Sequence, residues 1–304
     1  MTNRETNKLI MEYLEDCKDR LSPLTVNHHR GCLKAYSRFL GNKCILESKE
    51  IDVRHFLNEM KLKGRARSTI AGSLAKIRAF FKYIETYHNK SMPSLTNIKI
   101  EDYPRSTWEG LGQDPITRGE VRKLIETADN PRDTLIIAML YYLGLRVKEL
   151  AFLRIENVDT INRVAEVIGK GNKPRKVPYS IHLDRAIHLW LSKERKGYVN
   201  YYSPYFFPSK HGKHLRPHSI ANIVYNVAEK AGIQKVVGKR SDGSKMYKIH
   251  PHILRHSYAT HAVDDEIPLY IIQRMMGHTR LDTTLRYAGE LSPFKSYYDK
   301  FKGV

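Results

Sequence analysis

Four short segments of this chain carry residue types suited to handling a phosphate. In GLRVKEL at 144–150, Arg146 precedes Glu149 by three positions, which share one face of a helix. A carboxylate there can orient the guanidinium fork to grip phosphate oxygens, although an ordinary surface ion pair has the same spacing. GKGNKPRKVP at 169–178 reads as a basic hairpin tip after an apolar strand, where Lys170 or Lys173 could reach a neighbouring site as a point charge and proton donor. In IHPHILRHSYATH at 249–261, Pro251 suits the first turn of a helix, putting His252 and Arg255 on one face with His256 pointing elsewhere. In MMGHTRLDTTLRYA at 275–288, Gly277-His278 marks a turn between two helices, and Tyr287 follows His278 by nine residues. One tyrosine among 19 means little alone; the combination carries the signal.

Other chemistries find less support. His250, His252, His256 and His261 invite a metal reading, but no glutamate lies between His252 and His256, and no thiolates or well-placed carboxylates accompany them. Cys17, Cys32 and Cys44 are odd in number and form no close pair, so neither a disulfide framework nor a zinc site is expected, only buried thiols. There is no P-loop and no carboxylate cluster. The expectation is therefore no metal and no cofactor.

The partner is suggested by charge. Fifty-two Lys and Arg against 32 Asp and Glu give a net charge of +20 and a pI near 9.7, the footprint of a polyanion binder. Basic residues recur along the whole chain, which favours a nucleic acid wrapped by both halves over one held by a tail. No run approaches 18 consecutive apolar residues, and the opening MTNRETNKLIMEYLEDCKDR is too polar for a secretory segment. A soluble, cytoplasmic protein without membrane contact is the expectation.

These segments need elements to hold them, and 304 residues suffice for two domains. Residues 1–88 read as four helices: a stripe at Leu9, Ile10, Tyr13 and Leu14; a helix from Pro23, capped by Ser22, to Leu40; a third over Ile51–Met60; and a fourth opened by Ser68 or Thr69, with Ile70, Leu74, Ile77, Phe80, Phe81 and Ile84 on its apolar face. Lys61, Lys63, Arg65, Arg67, Lys76 and Arg78, between and along the last two helices, are the expected phosphate contacts. Residues 89–115, with Pro93, Pro104, Gly110, Gly112 and Pro115, read as a linker. A second domain over 116–304 opens with a Thr117/Glu120 capping box and a buried helix from Pro131 to Leu143, followed by strands at 164–168 and 176–178, and helices from Ile181 onward. VVGKRSDGSKMYK at 236–248 reads as a loop-like insertion. The fold class is thus mainly α with a small β-sheet in the C-terminal domain.

The order and spacing of the four segments resemble the tyrosine recombinase, or phage integrase, family, and its Xer-type members in particular, over essentially the whole chain. The family pattern of Arg, Lys, His-x-x-Arg, His or Trp, and Tyr is matched by Arg146, Lys170, His252, Arg255, His278 and Tyr287. The resemblance also selects Lys170 over Lys173, because IGKGNKPRKVP looks like the Xer-type hairpin. It implies a helical SAM-like core-binding domain joined to a mixed α/β catalytic domain, acting on double-stranded DNA.

The implied chemistry is strand cleavage by Tyr287, giving a 3′-phosphotyrosyl link and a free 5′ hydroxyl. A phenol near pKa 10 is a poor nucleophile at neutral pH, so Arg146 and Arg255 are expected to supply a favourable field and to stabilise the transition state. Glu149 supports Arg146. Lys170 is the expected general acid, His252 the proton-transfer and phosphate-contact residue, and His278 a hydrogen-bond donor to a nonbridging oxygen. Because the link conserves the phosphodiester energy, rejoining needs neither ATP nor metal. Recombination of two duplexes implies a homotetramer, with residues 291–304, including Phe294, Tyr297, Tyr298 and Phe301, docking on a neighbouring subunit. No additional arm-binding domain is expected before the four helices. A type IB-like topoisomerase and a DNA-binding regulator that keeps only the fold are the competing readings.

Overall fold

The computed structural model describes residues 2–100, 103, 114–169, 173–197, 202–239 and 244–277. The chain divides into two compact units, Met1–Glu109 with Lys239–Ser244, and Gly110–Gly238 with Lys245–Val304.

Amphipathic periodicity builds the first unit. Helices α1 (Thr2–Arg20), α2 (Pro23–Leu40), α3 (Glu50–Leu62) and α4 (Arg67–His88) turn their apolar stripes inward. Leu14, Leu33, Tyr36, Leu57, Ile77 and Phe80 lie at the centre of their shared core. Ser22 caps α2 by accepting the Thr25 N–H at 3.2 Å, with Pro23 at its start. Helix α4 begins at Arg67, ahead of Ser68 and Thr69. Its cap is Ala66, which has no side-chain hydrogen bond, so the chain's entry from the preceding turn sets this start and a hydroxyl does not.

Part of the stretch that reads as a linker belongs to this core. Met92, Leu95, Ile98 and Tyr103 are buried among the helices. The backbone of this strap is held by arginines: Arg78 donates to the carbonyls of Leu95 (2.7 Å) and Ile98 (3.0 Å), Arg67 to Ile100 (3.0 Å) and Arg54 to Asn97 (3.0 Å). Proline and low periodicity hide such a segment because it packs without regular secondary structure, its carbonyls being satisfied by side chains.

In the second unit, Thr117 and Glu120 form reciprocal cap bonds (3.1 and 2.8 Å) that open α5 (Arg118–Thr127). Helix α6 (Pro131–Tyr142) is buried from Leu135 through Tyr141, as its nearly uniform hydrophobicity requires. The chain then passes through α7 (Val147–Ala151) into an antiparallel sheet of β1 (Val158–Asp159), β2 (Val164–Ile168) and β3 (Pro174–Pro178), in that order. Helices α8 (Ile181–Ser192) and α9 (Pro217–Lys230) follow.

The stretch at 236–248 is a hairpin and not a loop: β4 (Val236–Lys239) pairs with β5 (Lys245–Tyr247). Val236, Val237, Met246 and Tyr247 suit a strand, and the polar tip between them masks that pattern in the sequence. Gln234 closes the base of the hairpin, its amide accepting the Ile249 N–H and donating to the Ile249 carbonyl, both at 2.9 Å. Helices α10 (Pro251–Asp264) and α11 (Leu269–Met276) complete the described residues.

Candidate active site

Glu149 organises the site. Its side chain is 4% exposed, on the short helix α7 directly after the turn that ends α6. That turn needs Gly144: φ is +56°, and a Cβ there would lie 2.7 Å from the Tyr258 ring. Arg146 caps α7 and donates its backbone N–H to Glu149 Oε2 (2.8 Å) and its Nη1 to Glu149 Oε1 (2.7 Å). The carboxylate thus both caps the helix and aims the arginine.

Two more guanidinium groups converge on the same carboxylate. Arg175 on β3 approaches it bidentately, Nη1 to Oε1 and Nη2 to Oε2, each at 2.8 Å. Arg255 on α10 is buried, with Nη1 3.8 Å from Glu149 Oε2, and donates to the carbonyls of Gly144 and Met276. Burial pushes the Glu149 carboxyl up, but hydrogen bonding and charge from Arg175, with hydrogen bonds from Arg146, outweigh this and hold it at about 2. It is a permanent anion at neutral pH.

The three arginines differ in access. The Arg146 side chain keeps 31% of its surface, whereas Arg175 keeps 10% and Arg255 6%. Arg146 is therefore the guanidinium most open to an incoming anion. His252, one turn before Arg255, has its pKa lowered by loss of water around the ring and then by the charges of Arg255 and Arg146. The residue is nonetheless exposed to solvent. It is a neutral imidazole at pH 7, beside two cations, with the capacity to accept a proton.

Arg146, Glu149, His252 and Arg255 are thus brought together. Lys170, His278, Tyr287 and the segment 291–304 lie outside the described residues. Lys173 is exposed, and its carbonyl accepts the Gly169 N–H at 2.9 Å. Arg175 escaped the sequence reading, although one signal was present: strand alternation puts it on the face of the buried Val177, an unusual place for a charge without a partner. His261 belongs to a packing contact, its Nδ1 lying 2.7 Å from the Tyr141 hydroxyl. Among the described residues, no three His, Cys, Asp or Glu side chains are grouped to hold a metal.

The six basic residues of the helical unit are placed unequally. Lys61, in the last turn of α3, and Lys63 and Arg65, on the α3–α4 turn, are exposed, with Lys63 paired to Glu59. Lys76 donates to the Gly72 carbonyl at 2.8 Å, and Arg67 and Arg78 hold the strap.

Residues 115–292 match the phage integrase family, and residues 10–87 match the phage integrase N-terminal SAM-like domain. The chain belongs to the phage integrase family. Among its curated relatives, a tyrosine recombinase from Pseudothermotoga lettingae is 30% identical over 284 residues, covering 88% of each chain. Tyrosine recombinase XerC of Oceanobacillus iheyensis is 26% identical over 288 residues, 91% of this chain and 88% of the relative. The crystal structure of XerA recombinase is 25% identical with a TM-score of 0.51, covering 98% of this chain and 99% of that one. The Tn1549 transposon integrase in complex with a circular intermediate DNA gives a TM-score of 0.77 at 18% identity, covering 99% of this chain and all of that one, a likeness of fold.

Proposed function

We propose that Arg146, His252 and Arg255, with Lys170, His278 and Tyr287, form the strand-cleavage site of a tyrosine-type site-specific DNA recombinase. The observation that carries this reading is the convergence of Arg146 and Arg255 on one buried carboxylate, with His252 close enough to both to feel their charge. Strand exchange needs a rigid cationic cradle, already in place before charge develops on the phosphorus.

The Tyr287 oxygen attacks the scissile phosphorus, and the bond to the 5′ oxygen breaks. Arg146, the most open guanidinium, contacts the nonbridging oxygens. Arg255 adds charge from behind, fixed by the Gly144 and Met276 carbonyls. Neutral His252 takes the phenolic proton, Lys170 delivers a proton to the departing 5′ oxygen, and His278 donates a hydrogen bond to a nonbridging oxygen. The reverse sequence, with an incoming 5′ hydroxyl, rejoins the strand without ATP or metal. A lowered His252 pKa supports activity that rises with pH through a limb below the ordinary 6.5.

The partner is duplex DNA, in keeping with a net charge of +20 and with structural relatives such as the XerH recombinase, which is described bound to its difH substrate. Two duplexes require four copies of the chain, and the aromatic segment 291–304 is the proposed contact between copies. No described helix is long and apolar enough to cross a membrane, and a cytoplasmic location accords with action on DNA.

The test is a denaturing gel of protein incubated in EDTA with labelled, nicked duplexes from the DNA flanking its own gene, wild type beside Tyr287→Phe. A slow-migrating adduct from wild type alone is the expected result. Tight binding to a cognate site without an adduct favours the DNA-binding regulator, and relaxation of supercoils without a site requirement favours the topoisomerase.

A further inference from the structure

Arg175 makes three hydrogen-bonding contacts, none directed at a substrate. Nη1 and Nη2 grip both oxygens of Glu149, and Nε donates to the Met275 carbonyl at 2.7 Å, in the last turn of α11. The Arg175 side chain packs against Gly277, where φ is +62° and a Cβ would fall 3.0 Å from Arg175 Cδ, 3.1 Å from Nη1 and 3.2 Å from Nε. Arg255 holds the next carbonyl, that of Met276. The end of α11 is thus fastened by two arginines at consecutive residues. His278 is the next residue in the chain after Gly277.

We propose that Arg175 is a positioning residue for strand cleavage: through Glu149 it sets Arg146, and through the Met275 carbonyl and Gly277 it sets where the chain leaves α11 toward His278 and Tyr287. A lysine cannot replace it. One ammonium has the charge but not the planar fork that reaches two carboxylate oxygens and a carbonyl together. The geometry therefore separates this role from general electrostatic support, which a lysine would preserve.

This inference rests on the strand-cleavage reading, and the experiment keeps the two apart. Single-turnover adduct formation on a saturating nicked duplex is measured for wild type, Tyr287→Phe, Arg175→Lys, Arg175→Gln, Glu149→Gln and the Arg175→Gln/Glu149→Gln double variant, with duplex Kd and Tm for each. An adduct in wild type that is lost in Tyr287→Phe tests the cleavage reading by itself. For Arg175, the expected results are a rate lowered at least tenfold in both Arg175→Lys and Arg175→Gln, a Kd within about twofold of wild type, and a double variant no slower than its slower parent, since the pair acts as a unit. Gly277→Ala, which leaves both ion-pair residues in place but pushes into the guanidinium, should reproduce the slow rate if Arg175→Gln does not fold. A wild-type rate in Arg175→Lys, or a rate loss that only follows a matching loss of DNA affinity, overturns the proposal.

Discussion

Arginine serves two purposes in the two units of this protein, and the partner decides which. In the helical unit, Arg67 and Arg78 donate to the backbone carbonyls of the strap at 95–100. In the catalytic unit, Arg146, Arg175 and Arg255 gather around one ionised carboxylate. A carbonyl satisfies a guanidinium's hydrogens and leaves its charge, so the first arrangement ties down irregular backbone. A carboxylate shared by three guanidinium groups orients all of them while offsetting only part of their charge, so the second stores a directed positive field.

The contrast can be broken first at the arginines around Glu149. Arg146→Ala should slow adduct formation by roughly 10²–10³-fold, as removal of one transition-state donor does, with little change in Tm because its side chain is the most exposed of the three. Arg255→Ala should slow it as much and also unfold at lower temperature, since the carbonyls of Gly144 and Met276 lose their buried donor. If Arg146→Ala keeps a wild-type rate, the field does not act on the phosphate.

Glu149→Gln tests the carboxylate that Arg146, Arg175 and Arg255 share. Holding the group at about 2 against an ordinary 4.5 corresponds to about 3 kcal/mol of stability. Because the folded value is depressed, that stabilisation is complete above pH 4.5 and disappears as pH falls toward 2. The difference in unfolding free energy between wild type and Glu149→Gln, measured by denaturant titration, should therefore be largest at neutral pH and shrink in acid. A gap independent of pH would sink the ion-pair account.

The strap arginines should behave in the opposite way. Arg78→Ala is expected to lower stability by roughly 1–3 kcal/mol, the cost of orphaned carbonyls, and to leave cleavage of saturated DNA unchanged. Lys61→Ala, exposed at the end of α3, should leave Tm alone and reduce the slope of log affinity against log salt by about 1. If the salt slope falls with Arg78→Ala instead, that arginine faces phosphate. The smallest effect belongs to Thr117→Ala, which removes a helix cap and should cost about 1 kcal/mol in stability with cleavage intact.

Much of this was legible in the linear chain. Helices α1 to α3 and α6 are visible because their apolar spacing and caps are local: Ser22-Pro23 opens one helix, and the uninterrupted run Leu135–Tyr141 can only be buried. Arg146, Glu149, His252 and Arg255 were also visible as two pairs, each within one helical turn. The strap at 92–100 was not, because nothing periodic marks a segment whose backbone is satisfied by distant side chains. The hairpin at 236–248 was hidden by its polar tip.

By itself, then, the sequence determined most of the helices, the basic charge and the two side-chain pairs proposed for the site, because spacing of three or four residues is enough to place side chains together on a helix. Only the tertiary structure decided that Arg146 and Arg255 meet at one carboxylate, that Arg175 completes the cluster from a strand, and that Arg67 and Arg78 serve the strap. Those contacts join residues 17 to 111 positions apart. No local periodicity encodes such a distance, since it follows from which faces the packed core leaves opposite one another.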